Sequence, residues 1–63
     1  MWKTGYSIFF FSYGSIYNAS GVVIDEGIVN FFDSESQAWE VLHSLHGLND
    51  KVTYTVLPCM KFV

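Results

Sequence analysis

Bulky apolar residues fill "YSIFFFSYG", Tyr6 to Gly14, so that Tyr6, Ile8 and Phe10 fall on one side of an extended chain and Phe9, Phe11 and Tyr13 on the other. A strand from about Tyr6 to Tyr13, stopped by Gly14, is predicted, with neither face suited to water. "GSIYNASG", Gly14 to Gly21, is rich in turn formers and predicts a loop that carries the bulky Ile16 and Tyr17. Asn18-Ala19-Ser20 has the spacing of a glycosylation acceptor but reads here as a turn.

"VVIDEGIVNFF" reads as a hairpin. Val22 to Ile24 and Ile28 to Phe32 are its strands, and Asp25-Glu26-Gly27 is its three-residue connection, with Gly27 at the left-handed position. A single strand through this segment would bury Asp25 and Glu26 next to a glycine.

The spacing then changes to three and four. Ala38, Val41, Leu42 and Leu45 form one apolar stripe bordered by Trp39 and His46, which predicts a helix over about Ser34 to His46. Asp33 or Ser34 supplies the N-cap, Ser34 and Gln37 have capping-box spacing, and Glu35 sits near the positive end of the helix dipole. Gly47 is the expected stop, with Leu48 folding back on the last turn. Alternation returns from Val52 to Val56, and Pro58 either ends this last strand or places it on an edge.

The predicted class is therefore α+β: one small domain spanning residues 1–63, in the order β-β-β-α-β. Its sheet is mostly antiparallel, the first strand is central and one helix packs on one face. That helix covers one side of the first strand. Tyr6, Ile8, Phe9, Phe10, Phe11 and Tyr13 thus divide between the core and a second face that lacks a cover, a candidate dimer interface.

Composition strengthens that reading. A chain of 63 residues buries only about 60% of the surface its unfolded form exposes. Cys59 is its single cysteine, so no intrachain disulfide can compensate. Aromatic residues make up 19% and charged residues only 14%, which resembles an interior more than the skin of a small monomer. A second copy of the chain is the expected supplement.

Charge removes other classes. The net charge is −3, arginine is absent, and Lys3, Lys51 and Lys61 are scattered, so direct nucleic-acid binding is disfavoured. The carboxylates are also too thinly spread for a DNA mimic. No stretch approaches the roughly 18 apolar residues that span a bilayer, and Ser7, Ser12 and Gly14 break the apolar run that could pass for a signal peptide, so a cytoplasmic location is expected.

Candidate chemistry is sparse. His43 and His46 have a ligand-like spacing, with Asp50 or Cys59 as a conceivable third ligand, but both also suit the negative end of a helix dipole. Cys59 beside a histidine suggests a nucleophile, yet between Pro58 and Met60 it reads as a small core residue. Asp25 and Glu26 read as solvated turn residues rather than an acid and base pair. No phosphate-binding glycine loop is present. Neither an enzyme nor a cofactor or metal is expected. The runner-up function is a single-stranded nucleic-acid or nucleotide binder that stacks bases on sheet or loop aromatics, without the basic rim such a surface needs.

Together "YSIFFFSYG", "GVVIDEGIVNFFDSESQAWEVL" and "VTYTVLP" resemble the small β-β-β-α-β accessory proteins of phages and prophages, which include inhibitors of host defence. The resemblance implies a non-enzymatic cytosolic homodimer that binds and blocks a host protein. Ile16 and Tyr17 on the long loop, with Asp25 and Glu26 at the hairpin tip, are the candidate partner contacts.

Overall fold

Four elements appear in the order β-β-α-β: β1 (Trp2–Ser12), β2 (Ser15–Asn18), α1 (Glu35–Ser44) and β3 (Thr53–Phe62). The structure, a computed structural model, describes residues 1–21, 24, 27, 29–45, 48 and 50–63. The predicted hairpin tip at Asp25 and Glu26, most of its strands and the helix stop at Gly47 lie outside the described residues; Gly27, expected at the left-handed position, is described and has no positive φ, so it does not close the connection in the way expected. Of the predicted Ile28 to Phe32 strand, Phe32 makes a single antiparallel bridge, with Tyr6.

The first strand is central, as the covered alternation demands: the sheet order is β2-β1-β3, and both pairings are antiparallel. β1 starts at Trp2, four residues before the alternation alone predicts, and its 11 residues cover the length of the molecule. At about 3.3 Å per residue such a strand spans roughly 36 Å, and the longest dimension is 37 Å. Among the described residues no helix is long and apolar enough to cross a membrane.

Ile16 and Tyr17 do not lie in a loop. Ser15–Asn18 is a strand that returns along β1 and pairs Phe11 with Ile16 and Phe10 with Tyr17. The reason is a two-residue turn at Tyr13 and Gly14, where both residues have positive φ, 51° and 78°, as a type I′ hairpin requires. Tyr13 is thus a turn residue, not a member of the face shared by Phe9 and Phe11.

Pro58 does not end the last strand, which runs on to Phe62. Pro58 lies opposite Tyr6, and the polar groups of Tyr6 point the other way: its N–H donates to the Phe32 carbonyl at 2.9 Å and its carbonyl accepts from the Phe32 N–H at 2.8 Å. Tyr6 and Pro58 are therefore a pair without mutual hydrogen bonds, and the missing donor of Pro58 faces the outer edge of the sheet. The proline removes no bond from the β1–β3 ladder, and it interrupts the outer edge of β3.

Between β2 and the Phe32 bridge, the β1 backbone at Ile8 is held by a side chain. Ile8 N–H donates to Asn30 Oδ1 at 2.9 Å, and Asn30 Nδ2 donates to the Ile8 carbonyl at 3.0 Å and to Asn18 Oδ1 at 3.0 Å. The Ile8 carbonyl also accepts from Ala19 N–H at 3.0 Å. An amide fits because it alone presents a donor and an acceptor at the spacing of a peptide group. Asn30→Ala is expected to leave the Ile8 N–H without a partner and to cost about 1–3 kcal/mol. Asn30→Asp, which replaces the donor with a second oxygen facing the Ile8 carbonyl, should cost at least as much in the same urea-unfolding measurement.

α1 begins as its sequence dictates. Ser34 is the N-cap, in extended conformation, and its Oγ accepts from Gln37 N–H at 3.2 Å. Trp39 Nε1–H donates to Glu35 Oε1 one turn below at 3.3 Å. The helix ends at Ser44, two residues short of His46, because Leu45 turns extended and tucks a half-buried side chain against the core. Ala38 and Leu42 are buried against the sheet, in one cluster with Ile8, Phe32 and Val56 along with Ala19 and Ile24. Of these, only Ile8 and Ile24 are large and fully enclosed.

Candidate protein-interaction site

β1 sends Tyr6, Ile8 and Phe10 toward the helix and Gly5, Ser7, Phe9 and Phe11 away from it, because Ile8 belongs to the buried cluster and Tyr6 and Phe10 pack on that cluster. The face away from the helix divides in two. Its middle is covered by the chain itself, which corrects the expectation that nothing remains to cover it. Ser7 is buried and its hydroxyl donates to the Asn30 carbonyl at 2.6 Å. Phe31 lies over Gly5, so close that a β-carbon there would fall 2.4 Å from the end of the ring. Lys61 sits 5.5 Å over the same ring, and Lys3 pairs with Asp33 at 2.8 Å. That lysine holds the exposed Asp33 carboxyl below its ordinary range, first through their hydrogen bond and then through charge.

The other part of this face, near the β1–β2 turn, stays open. Phe11 is 45% exposed and Ile16, its partner across the strands, 43%. Tyr13 stands fully exposed at the tip. An open cleft beside it is lined by Phe11, Ser12, Tyr13, Gly14, Lys51 and Val52. The backbone of Tyr13 adds weight: a left-handed conformation costs a non-glycine residue roughly 1–2 kcal/mol, and this turn position favours Asn, Asp or Gly. A fully solvated tyrosine returns none of that cost through packing.

The predicted partner contacts thus separate. Ile16 joins Phe11 on the open part of the face, at whose end Tyr13 stands in the turn. Tyr17 projects to the helix side and stacks on Phe10, with ring centroids 5.5 Å apart and planes at 27°, so its main role is to close the end of the core. Asp25 and Glu26 lie outside the described residues. Tyr13, counted from the alternation as a face residue, is the contact that reading misplaced. The signal available was the Tyr-Gly pair between two short alternating runs, obscured because tyrosine is an unusual first turn residue.

The chemically suggestive residues have structural partners. Cys59 is half-buried with Sγ 3.0 Å from Ser7 Oγ. The Ser7 proton is already given to Asn30, so the thiol donates and the hydroxyl accepts. His43 is exposed and lies 6.0 Å from the Trp39 ring. Among the described residues no three His, Cys, Asp or Glu side chains converge; His46 lies outside them.

No protein family, curated protein or solved structure matches this chain.

Proposed function

We propose that the chain is a non-enzymatic protein-binding module that works as a homodimer and presents the tip of its β1–β2 hairpin to a partner protein. The observation that carries this reading is Tyr13: fully exposed, on left-handed backbone, beside the half-exposed Phe11 and Ile16. Tyrosine gives a large amphipathic contact with few torsions to freeze, which is why it is enriched where proteins bind proteins. The hairpin below it is tied to the central strand, so the contact is held before a partner arrives. The narrower role, a phage-encoded inhibitor that occupies a host defence protein in the cytoplasm, draws its support from the resemblance in layout alone.

Tyr13→Asn tests the reading because stability and binding should move in opposite directions. Asparagine suits the first position of a type I′ turn, so the variant should unfold at higher temperature, with a gain of roughly 0.5–1 kcal/mol. Affinity capture from host-cell lysate, run with both proteins side by side, should recover a partner on the natural chain and lose it on the variant. A partner retained equally by both removes the tip from the contact. A variant that melts lower assigns Tyr13 a structural role instead.

A further inference from the structure

We infer that the outer edge of β2 is where the partner protein adds a short extended segment to this three-stranded sheet as a fourth strand. This deepens the protein-binding reading above, on which it rests, by naming the structure the partner must bring.

The pairing pattern fixes which backbone groups face outward. Ala19 N–H donates to the Ile8 carbonyl at 3.0 Å, and in an antiparallel ladder bonded pairs alternate with unbonded ones. In the β1–β2 register Tyr17 with Phe10 and Ser15 with Ser12 are therefore the bonded pairs, the latter closing the two-residue turn. Ile16 with Phe11 and Asn18 with Phe9 are unbonded, so the N–H and C=O groups of Ile16 and Asn18 turn away from β1. Two donors and two acceptors stand in a row along β2, and among the described residues none of the four has a hydrogen-bond partner. That row is complementary to the backbone of another extended chain. Sheet edges are usually guarded by proline, by charge or by a bulge. The outer edge of β3 carries Pro58 midway. β2 has no such guard: its four residues are exposed, none is acidic, basic or proline, and they pair one for one with β1.

The neighbouring side chains select what the segment carries. On the face away from the helix, Phe11 and Ile16 form a row across β1 and β2, and both are nearly half exposed. The residue opposite Ile16 on an added antiparallel strand extends that row, so a β-branched or aromatic side chain fits there. Asn18 Oδ1 already accepts from Ser20 N–H at 2.8 Å and from Asn30 Nδ2 at 3.0 Å, so a polar residue fits opposite Asn18. The residue between these two falls on the helix side beside Tyr17, where an apolar side chain covers the exposed part of the ring stacked on Phe10.

A second copy fits this edge poorly. Paired about a two-fold axis at Tyr17, each Ile16 meets the Asn18 amide of the other copy, held by its own hydrogen bonds. Phe11, Ile16 and Tyr17 together offer only roughly 300 Å² per copy, far below the roughly 800 Å² per partner of stable interfaces. A separate protein that also engages Tyr13 is not limited to that area. The edge begins two residues past Tyr13, and strand addition draws its affinity from main-chain hydrogen bonds, with pockets and rows of alternate side chains giving selectivity.

Linear random peptides of about 12 residues, displayed on yeast and selected on the natural chain, supply the probe, and backbone amide hydrogen exchange of the chain with a selected peptide is the readout. Exchange at the Ile16 and Asn18 amides should be fast in the free chain and at least about 10-fold slower at saturating peptide. Ile16→Pro removes the outward donor but no ladder bond, as Pro58 does in β3. It should keep the natural circular dichroism spectrum and weaken the peptide at least about 30-fold, whereas Ile16→Ala, which keeps the donor, should weaken it only about 5-fold. A peptide that binds with both amides still fast, or that the two variants weaken alike, overturns strand addition, as does a selection that yields no peptide. Protection of the two amides that appears in the free chain between about 10 μM and 1 mM gives the edge to a second copy and overturns it too. The tip is judged separately: a partner from lysate lost on Tyr13→Asn but kept on Ile16→Pro removes the edge and leaves the protein-binding tip standing.

Discussion

Gly5→Ala should leave the protein largely unfolded. Gly5 is buried in the central strand, and a β-carbon built on it would lie 2.4 and 2.6 Å from Cζ and Cε1 of Phe31 and 2.7 Å from the carbonyl oxygen of Phe32. The ring could swing aside. The carbonyl cannot do so freely, because it accepts the Tyr6 N–H at 2.9 Å in the bridge that holds this segment to β1. Overpacking costs about 1–3 kcal/mol, and parting the two bonds of the bridge adds about 1 kcal/mol each, so about 3–5 kcal/mol is expected. A domain of this size has only about 3–5 kcal/mol to lose. Thermal melting followed by circular dichroism should show the folded baseline gone or greatly shortened. Adding Phe31→Ala should restore only the part due to the ring. A melting temperature within 2–3 °C of the natural chain, or full rescue by Phe31→Ala, would mean that the Phe32 carbonyl moves at little cost.

Gly5 also shows which parts of the fold the sequence discloses. The amphipathic helix and its Ser34 cap were legible because both depend on residues three or four apart, and the central position of β1 was legible from its two apolar faces. What failed depended on distant partners. Pro58 reads either as a strand end or as the mark of an edge strand, and β3 is an edge strand; that the strand runs on through the proline is seen only once Tyr6 is found to direct its polar groups toward Phe32 instead. Once Pro58 is taken as a stop, the apolar alternation of Met60 and Phe62, and of Trp2 opposite, loses its meaning, and the exposed ribbon end goes unnoticed. β2 is four residues long and exposed throughout, so burial leaves no pattern in it. The candidate site was half legible for the same reason. Ile16 was recognisable as an apolar residue without a home, whereas the pairing of Tyr17 with Phe10 and the left-handed turn at Tyr13 appear only once β2 is paired.

Ile8→Ala and Phe11→Ala should differ far more than their side-chain sizes suggest, and in the opposite order. Ile8 is 0% exposed at the centre of the middle strand, pairs with Val56 and belongs to the buried cluster that includes Leu42 and Phe32. Its truncation removes the transfer energy of three carbons and leaves a cavity that a strand held on both sides cannot collapse to fill. Buried Ile→Ala changes cost about 2–5 kcal/mol, and the upper half of that range is expected here. Phe11 has the larger ring but is 45% exposed within one chain, so Phe11→Ala should cost only about 2 kcal/mol, an amount set by the area it still covers. Equilibrium unfolding in urea, at a concentration where the natural chain is monomeric, measures both without a contribution from assembly. A loss above about 3 kcal/mol for Phe11→Ala would show the open part of the sheet to be covered, and the protein-binding tip would then lack the surface on which the proposal depends. The expected pair of results, a collapse at Ile8 and a small loss at Phe11, fits a face kept apolar for a partner rather than for the fold.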